Sequence, residues 1–326
     1  MPAALRARLP ITTEWQKQLR IHPVGLLNVG ATLAWFGTAI ACARPATWPL
    51  ELANHLHVFY LWALVPVAVL CAVTRRTRFA LFHSLFIVIN LSVIAPAWFG
   101  SGEATSNAVA MKFVLLNVGT DNIDHERVLD LLREEQPDVA VVLEVDERWM
   151  RALRTLHGLY PYVHAAPRSD NFGIAVLSRR PLSRARTYEF TPPGPPSVVA
   201  TTTVNDRVVH FVATHPIPPV RAGAMDRRDA HLRALGDYLH AQVDPIVLVG
   251  DLNTSPWAPA FRVLLETAGL TDPRRGRGVL ATWPSWVPVI AIDHVLVSPQ
   301  LRVTSLRVGA SIGSDHLPLF ARVQFR

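Results

Sequence analysis

The chain has 326 residues, half of them hydrophobic and 17% charged, with a formal net charge of +7 at neutral pH. This exceeds one typical domain and is apolar for a protein that lives wholly in water. The basic excess is uneven: the first 106 residues hold 8 Lys and Arg against 3 Asp and Glu, and the remainder holds 24 against 22. The second part therefore lacks the strongly basic face of a nucleic-acid-binding domain. Both cysteines, Cys42 and Cys71, lie in the first part, so the second can hold neither a disulfide framework nor a cysteine-ligated zinc.

Three runs lack charge, at residues 24–43, 55–73 and 79–100. Each approaches the roughly 20 residues that a helix needs to cross a bilayer, and the expectation is three spans within an N-terminal membrane region, residues 1–106. Pro66 and Pro96 fall inside two of them and are tolerated in that setting. Arg6, Arg8, Lys17 and Arg20 precede the first run, and Arg75, Arg76 and Arg78 separate the second from the third. The positive-inside rule then puts the N-terminus in the cytoplasm and residues 107–326 outside the cell membrane, in a multi-pass protein. Ala41-Cys42-Ala43 also resembles a small-residue cleavage site, whose use would leave two spans.

After a small polar linker at 101–107, strands are expected at 112–118, 138–145 and 174–178, with helices at 125–136 and 146–157 between them. Residues 198–204 and 208–214 read as a hairpin turning at Asn205-Asp206. A helix at 221–242 leads to the four apolar residues Ile246–Val249, which Gly250 closes as a buried strand feeding a tight turn. A helix near 260–268, with Pro256 expected to open it, and strands at 290–297 and 317–324 follow. Strands with interspersed helices and a hairpin predict an α/β domain of two packed mixed sheets with helices outside.

Polar residues collect at the strand ends: Asn117, Glu144, His215, Asp251 with Asn253, Asp293, and Asp315 with His316. Carboxylates, amides and histidines without cysteine suit a hard cation such as Mg²⁺ or Mn²⁺. Taken singly, each is as well explained as a turn or a helix cap.

Their order carries a resemblance. Leu115-Leu116-Asn117, Leu143-Glu144-Val145, Asn171-Phe172-Gly173, Thr214-His215-Pro216, Gly250-Asp251-Leu252-Asn253, Thr282-Trp283-Pro284, Ile292-Asp293-His294 and Ser314-Asp315-His316 resemble the endonuclease/exonuclease/phosphatase superfamily. The arrangement of spans is similar to its VanJ-like membrane proteins. The resemblance implies a DNase I-like four-layered α/β sandwich and Mg²⁺- or Mn²⁺-dependent hydrolysis of a phosphate ester. It gives Glu144 to the metal, with Asn117 and Asp315 close by. Asp251 becomes the base for the attacking water, Asn253 its positioner, and His316, oriented by Asp293, a phosphate contact. His215 is left to stabilise the transition state or to assist the leaving group. A membrane-anchored domain suits a lipid-linked or cell-envelope phosphate, with Trp283, Trp286 and residues 287–290 as an apolar loop beside the site. A nuclease acting outside the cell and a non-catalytic sensor are the competing readings.

Overall fold

Apolar strands whose two sides are both buried build the centre of the molecule. A computed structural model describes residues 23–100, 110–204 and 207–326. The linker at 101–107, the Asn205-Asp206 turn and the basic residues before the first helix lie outside the described residues. In β1 (Met111–Asn117), Met111, Phe113 and Leu115 enter one buried cluster, and Val114 and Leu116 enter another. β2 (Val139–Leu143) alternates in the same way. Side chains on a strand have a period of two, so a strand covered on both faces reads as a continuous apolar run.

The first sheet adds β3 (Tyr162–Ala166), β4 (Ile174–Ser178), β10 (Leu301–Val308) and β11 (Leu319–Phe325), in the order β10-β11-β1-β2-β4-β3. The second runs β5-β6-β7-β8-β9, from β5 (Ser183–Tyr188), β6 (Ser197–Val204), β7 (Arg207–Thr214), β8 (Ile246–Asp251) and β9 (Asp293–Val297). Their inner faces meet in one core, where the rings of Phe113 and Phe211 stack at 5.9 Å. Helices close the outside. On the first sheet, α4 (His125–Glu135) and α5 (Glu147–Leu153) bury Val128, Leu132, Trp149 and Leu153. On the second, α6 (Ala222–His240) and α7 (Pro259–Ala268) bury Leu232, Leu235, Leu239, Phe261 and Leu264. The result is the expected four-layered α/β sandwich.

Three strands escaped the sequence pattern: β3, β5 and β10. Two boundaries also move. The strand expected from residue 290 begins at Asp293, and α7 opens at Pro259 rather than Pro256. Residues 146–157 form α5 and then a separate 3-10 turn, Arg154–Leu156.

Before the sandwich, α1 (Pro23–Cys42), α2 (His57–Val73) and α3 (Thr77–Trp98) pack together around Ala34, Tyr60 and Leu64. A Cβ on Gly37 would lie 2.4 Å from the Tyr60 ring, so the end of that ring occupies the space a larger residue on α1 would need. Three spans were expected. Among the described residues only α3 is long and apolar enough to cross a membrane; Leu26–Cys42 and His57–Val73 are shorter apolar helices. The second helix starts later than expected for a local reason: residues 50–55 form a 3-10 turn that packs on the sandwich, so His55 leaves the expected second run. Among the described residues, the hydrogen bonds that join the bundle to the sandwich come from one end, from Glu51, Asn54, His55, Pro96 and Ala97. Arg75, Arg76 and Arg78 sit at the opposite end.

Candidate active site

Strand direction gathers the polar residues. β1 pairs parallel with β2 and β7 with β8, so four carboxyl-terminal strand ends share one edge of the sandwich. β9 starts there, with Asp251 opposite Asp293. Gly250 does not form a turn; it sits within β8 beside Thr214. A Cβ there would lie 2.1 Å from the Thr214 carbonyl oxygen, so this glycine permits the close backbone approach that aligns His215 with Asp251.

The structure brings Asn117, Glu144, His215, Asp251, Asp293 and His316 together, with Asn253 and Asp315 at the margin. Asn117 Nδ2 donates to Glu144 Oε1 (2.9 Å) and Asp251 Oδ2 (3.3 Å), while its Oδ1 accepts from the Gly119 amide. Asn117 thus holds two carboxylates apart with its N–H groups. Glu144 sits at φ 62, and Thr120 donates to its carboxylate from the backbone and to its carbonyl from the hydroxyl. Left-handed backbone is rare outside glycine, and it turns this carboxylate out of the β2 line into the cleft. His316 Nδ1 meets Asp293 Oδ2 at 2.9 Å, and the Nε2 atoms of His316 and His215 each lie 3.6 Å from Asp251 Oδ2. Asn253, at φ 50, donates its amide N–H to Asp251 Oδ1 and its side-chain N–H to the Pro216 carbonyl. Asp315 is exposed and accepts from Trp283 Nε1 (3.0 Å).

Burial and neighbouring charge separate the protonation behaviour of these groups. Burial, with Asp293 close by, pushes Asp251 up to about 6. Burial also raises Glu144 and lowers His215. For His316 burial works downward, but Asp293 and Asp251 outweigh it and lift the imidazole to about 10. The site therefore holds a raised carboxylate, a neutral histidine and a histidine that stays cationic at neutral pH. Such opposed shifts mark sites built for proton handling.

These residues open into a cavity of about 590 Å³. Its other walls are largely apolar, with Phe172, Pro218, Pro219, Val220 and Ile290 from the sandwich and Leu52 and Leu56 from the segment between α1 and α2, beside the polar His55, Asp170 and Asn171. The Phe172 ring lies 5.6 Å from that of His215. Sequence reasoning named Phe172 only as part of a motif, and Leu52 and Leu56 carried no local signal. It also missed Arg228, fully buried in α6, whose Nη1 donates to the Asn253 carbonyl at 3.0 Å. Three arginines within eight residues gave no reason to choose one of them.

The donor set fits a hard divalent cation. Asp293 Oδ1 and His215 Nδ1 are buried without a hydrogen-bond partner, so the site holds unused polar capacity. Asp251, Asp293 and His316 offer ligand atoms within 4.8 Å of one another. His316 and Asp293 already satisfy each other, however, which favours an orienting pair. Glu144, held by Asn117 and Thr120 with its carboxylate in the cavity, is the better placed ligand, with Asp315 at the margin.

An edge of two packed sheets lined by carboxylates, amides and histidines is the arrangement of the DNase I-like fold. Residues 114–316 match the Endonuclease/Exonuclease/phosphatase family, and the chain belongs to it. Members hydrolyse phosphate esters and generally use a divalent metal. No curated protein sequence matches the chain. Among solved structures, it is similar to an endonuclease/exonuclease/phosphatase from Beutenbergia cavernae DSM 12333, with 22% identity over 66% of this chain and 72% of that one, and a TM-score of 0.54. It is also similar to the human Nocturnin catalytic domain with bound sulfate anion, with 17% identity over 68% and 97% and a TM-score of 0.56. A humanized D. rerio TDP2 gives 16% identity over 66% and 99%, at a TM-score of 0.55. Identities this low carry the fold alone.

Proposed function

We propose that this protein is a membrane-anchored, Mg²⁺- or Mn²⁺-dependent phosphoesterase acting on a lipid-linked or other cell-envelope phosphate ester at the outer face of the membrane. The observation that carries the reading is the cavity, in which a polar phosphate-handling end continues into an apolar wall. An amphiphile needs both in one site. Part of that wall, Leu52 and Leu56, comes from between two helices whose outward residues are apolar. The near-neutral sandwich supports a lipid substrate over nucleic acid, whose binding depends on many basic contacts.

In this reading Glu144 and Asp315 hold the cation, with Asn117 fixing Glu144. The cation supplies charge neutralisation at the phosphate. Asp251, ionised above its raised pKa, takes the proton of the attacking water. Asn253 keeps one side-chain N–H and its Oδ1 free to orient that water or a phosphoryl oxygen. Protonated His316, steadied by Asp293, donates to the phosphate, and neutral His215 donates to charge developing in the transition state.

The test uses the full chain in nanodiscs. It offers phosphatidic acid, bis(p-nitrophenyl) phosphate and plasmid DNA, each with Mg²⁺, Mn²⁺ or EDTA, beside an Asp251→Ala control. Metal-dependent turnover favouring the lipid and lost in the control is expected. Preference for DNA with a steep salt dependence would move the protein to the nucleases. Absence of turnover in a folded, metal-binding chain would leave a sensor.

A further inference from the structure

We infer that the 3-10 turn at Leu50–His55, between the first two helices, is a working part of the active site, and that Glu51 and Arg228 are positioning residues for the loop after β8. The inference rests on the phosphoesterase reading for its catalytic consequence, but its structural basis is separate.

Arg228 is fully buried and Glu51 is 2% exposed. Arg228 Nη2 donates to Glu51 Oε1 at 3.1 Å, its Nε donates to Asp229 Oδ1 at 2.8 Å, and its Nη1 reaches the Asn253 carbonyl. One guanidinium therefore joins the membrane-side turn to the peptide that follows Asp251. A second link runs beside it. His55 Nε2 lies 3.1 Å from the other Glu51 oxygen, and its Nδ1 takes the Ser255 backbone N–H at 3.2 Å, with Ser255 Oγ 2.9 Å away. Nδ1 accepts from the Ser255 amide, so Nε2 carries the proton and donates to Glu51, and a single neutral tautomer serves both ends.

Asn253 has left-handed backbone, which asparagine tolerates, and its amide N–H, side chain and carbonyl are each tied to a separate partner. Its own amide locks onto Asp251 Oδ1, so a shift of Asn253 moves the base. Glu51 carries out no chemistry. Burial on its own would raise its pKa, but the His55 hydrogen bond and Arg228 hold it below the usual carboxylate range. An ionised Glu51 is thus the fixed counter-charge against which Arg228 is aimed. Removing it leaves Asp229, one residue along its own helix, as the carboxylate partner of Arg228, and frees the guanidinium to turn away from Asn253.

The experiment keeps the full chain in nanodiscs and compares wild type with Glu51→Gln, Glu51→Asp, His55→Gln and the Asp251→Ala control. It reads kcat and KM for bis(p-nitrophenyl) phosphate with Mg²⁺, and amide hydrogen exchange in the peptide covering residues 251–258. Outer-shell partners of this kind are worth about 10–100-fold in activity. The expected result is a kcat loss of that size in Glu51→Gln and His55→Gln, with KM within about twofold, partial recovery in Glu51→Asp, and faster exchange in residues 251–258. Wild-type kcat in both variants, or unchanged exchange in that loop, would overturn the inference. If wild type turns over no substrate, the phosphoesterase reading falls and exchange alone decides the coupling. If Glu51→Gln loses protection throughout the sandwich, it has unfolded, and His55→Gln decides instead.

Discussion

The two regions of this molecule are packed by opposite rules. In the sandwich, large apolar side chains are interior and polar groups gather at one edge. In the N-terminal bundle, Leu33, Phe36, Trp62, Leu81 and Val88 are more than half exposed, while Thr38, His57, His83 and Asn90 are buried. Three of these bond between helices, Asn90 Nδ2 donating to Thr38 Oγ1 at 2.8 Å and Asn90 Oδ1 meeting His57 Nδ1 at 2.7 Å, while His83 pairs with the Phe79 carbonyl of its own helix. A chain solvated by water hides its apolar surface, whereas one solvated by hydrocarbon gains nothing by hiding it and must pair its polar groups inward. The contrast supports the membrane reading independently of helix length.

The largest test of the comparison is chemical. Asp251→Ala, at the polar edge, is expected to lower kcat by about 10²–10⁴-fold, the range of a lost general base, without loss of fold by circular dichroism. Next comes Phe113→Ala in the inter-sheet core, expected to cost about 3–5 kcal/mol in a denaturant titration. A matched pair then probes the two exteriors. Val88→Arg on α3 is expected to cost about 2.5–3.5 kcal/mol in a membrane-insertion assay. Val243→Arg, 95% exposed on the sandwich, is expected to stay within about 0.5 kcal/mol in unfolding. Equal tolerance at both sites would break the comparison. The smallest effect is pH dependence at the seam. Glu51 has a folded pKa below its unfolded value, so its stabilisation is present above the unfolded value (~4.3) and is lost as pH falls through the folded one. The Tm advantage of wild type over Glu51→Gln is expected to shrink across that acid window.

Much of the sandwich was legible because its central strands are apolar on both faces. The strands that were missed share a place: β3, β5 and β10 are all sheet edges. Ser183-Arg184-Ala185-Arg186-Thr187-Tyr188 carries two arginines and no apolar run, and β3 is half-exposed throughout. Polarity at a sheet edge discourages pairing with other chains, and in β5 the same polarity erases the apolar pattern. The site was legible as a set, since the polar residues close strands of one direction. What could not be read was contact between distant segments. Glu51 and Arg228 are 177 residues apart, and neither has a neighbour in sequence that hints at the other. The apolar wall is of the same kind: Leu52 falls in what reads as a loop between spans and Leu56 at the start of the expected second span, and neither position points to the cleft.

That seam also fixes a height. The turn at Leu50–His55 touches both the helical bundle and the loop after β8, so the reacting end of the cavity cannot ride freely above the bundle as a tethered domain would. In a bilayer such a joint acts as a depth gauge: it presents the cleft to phosphates carried at one level, and a phosphate's distance from the hydrocarbon becomes a means of selection alongside its chemical identity.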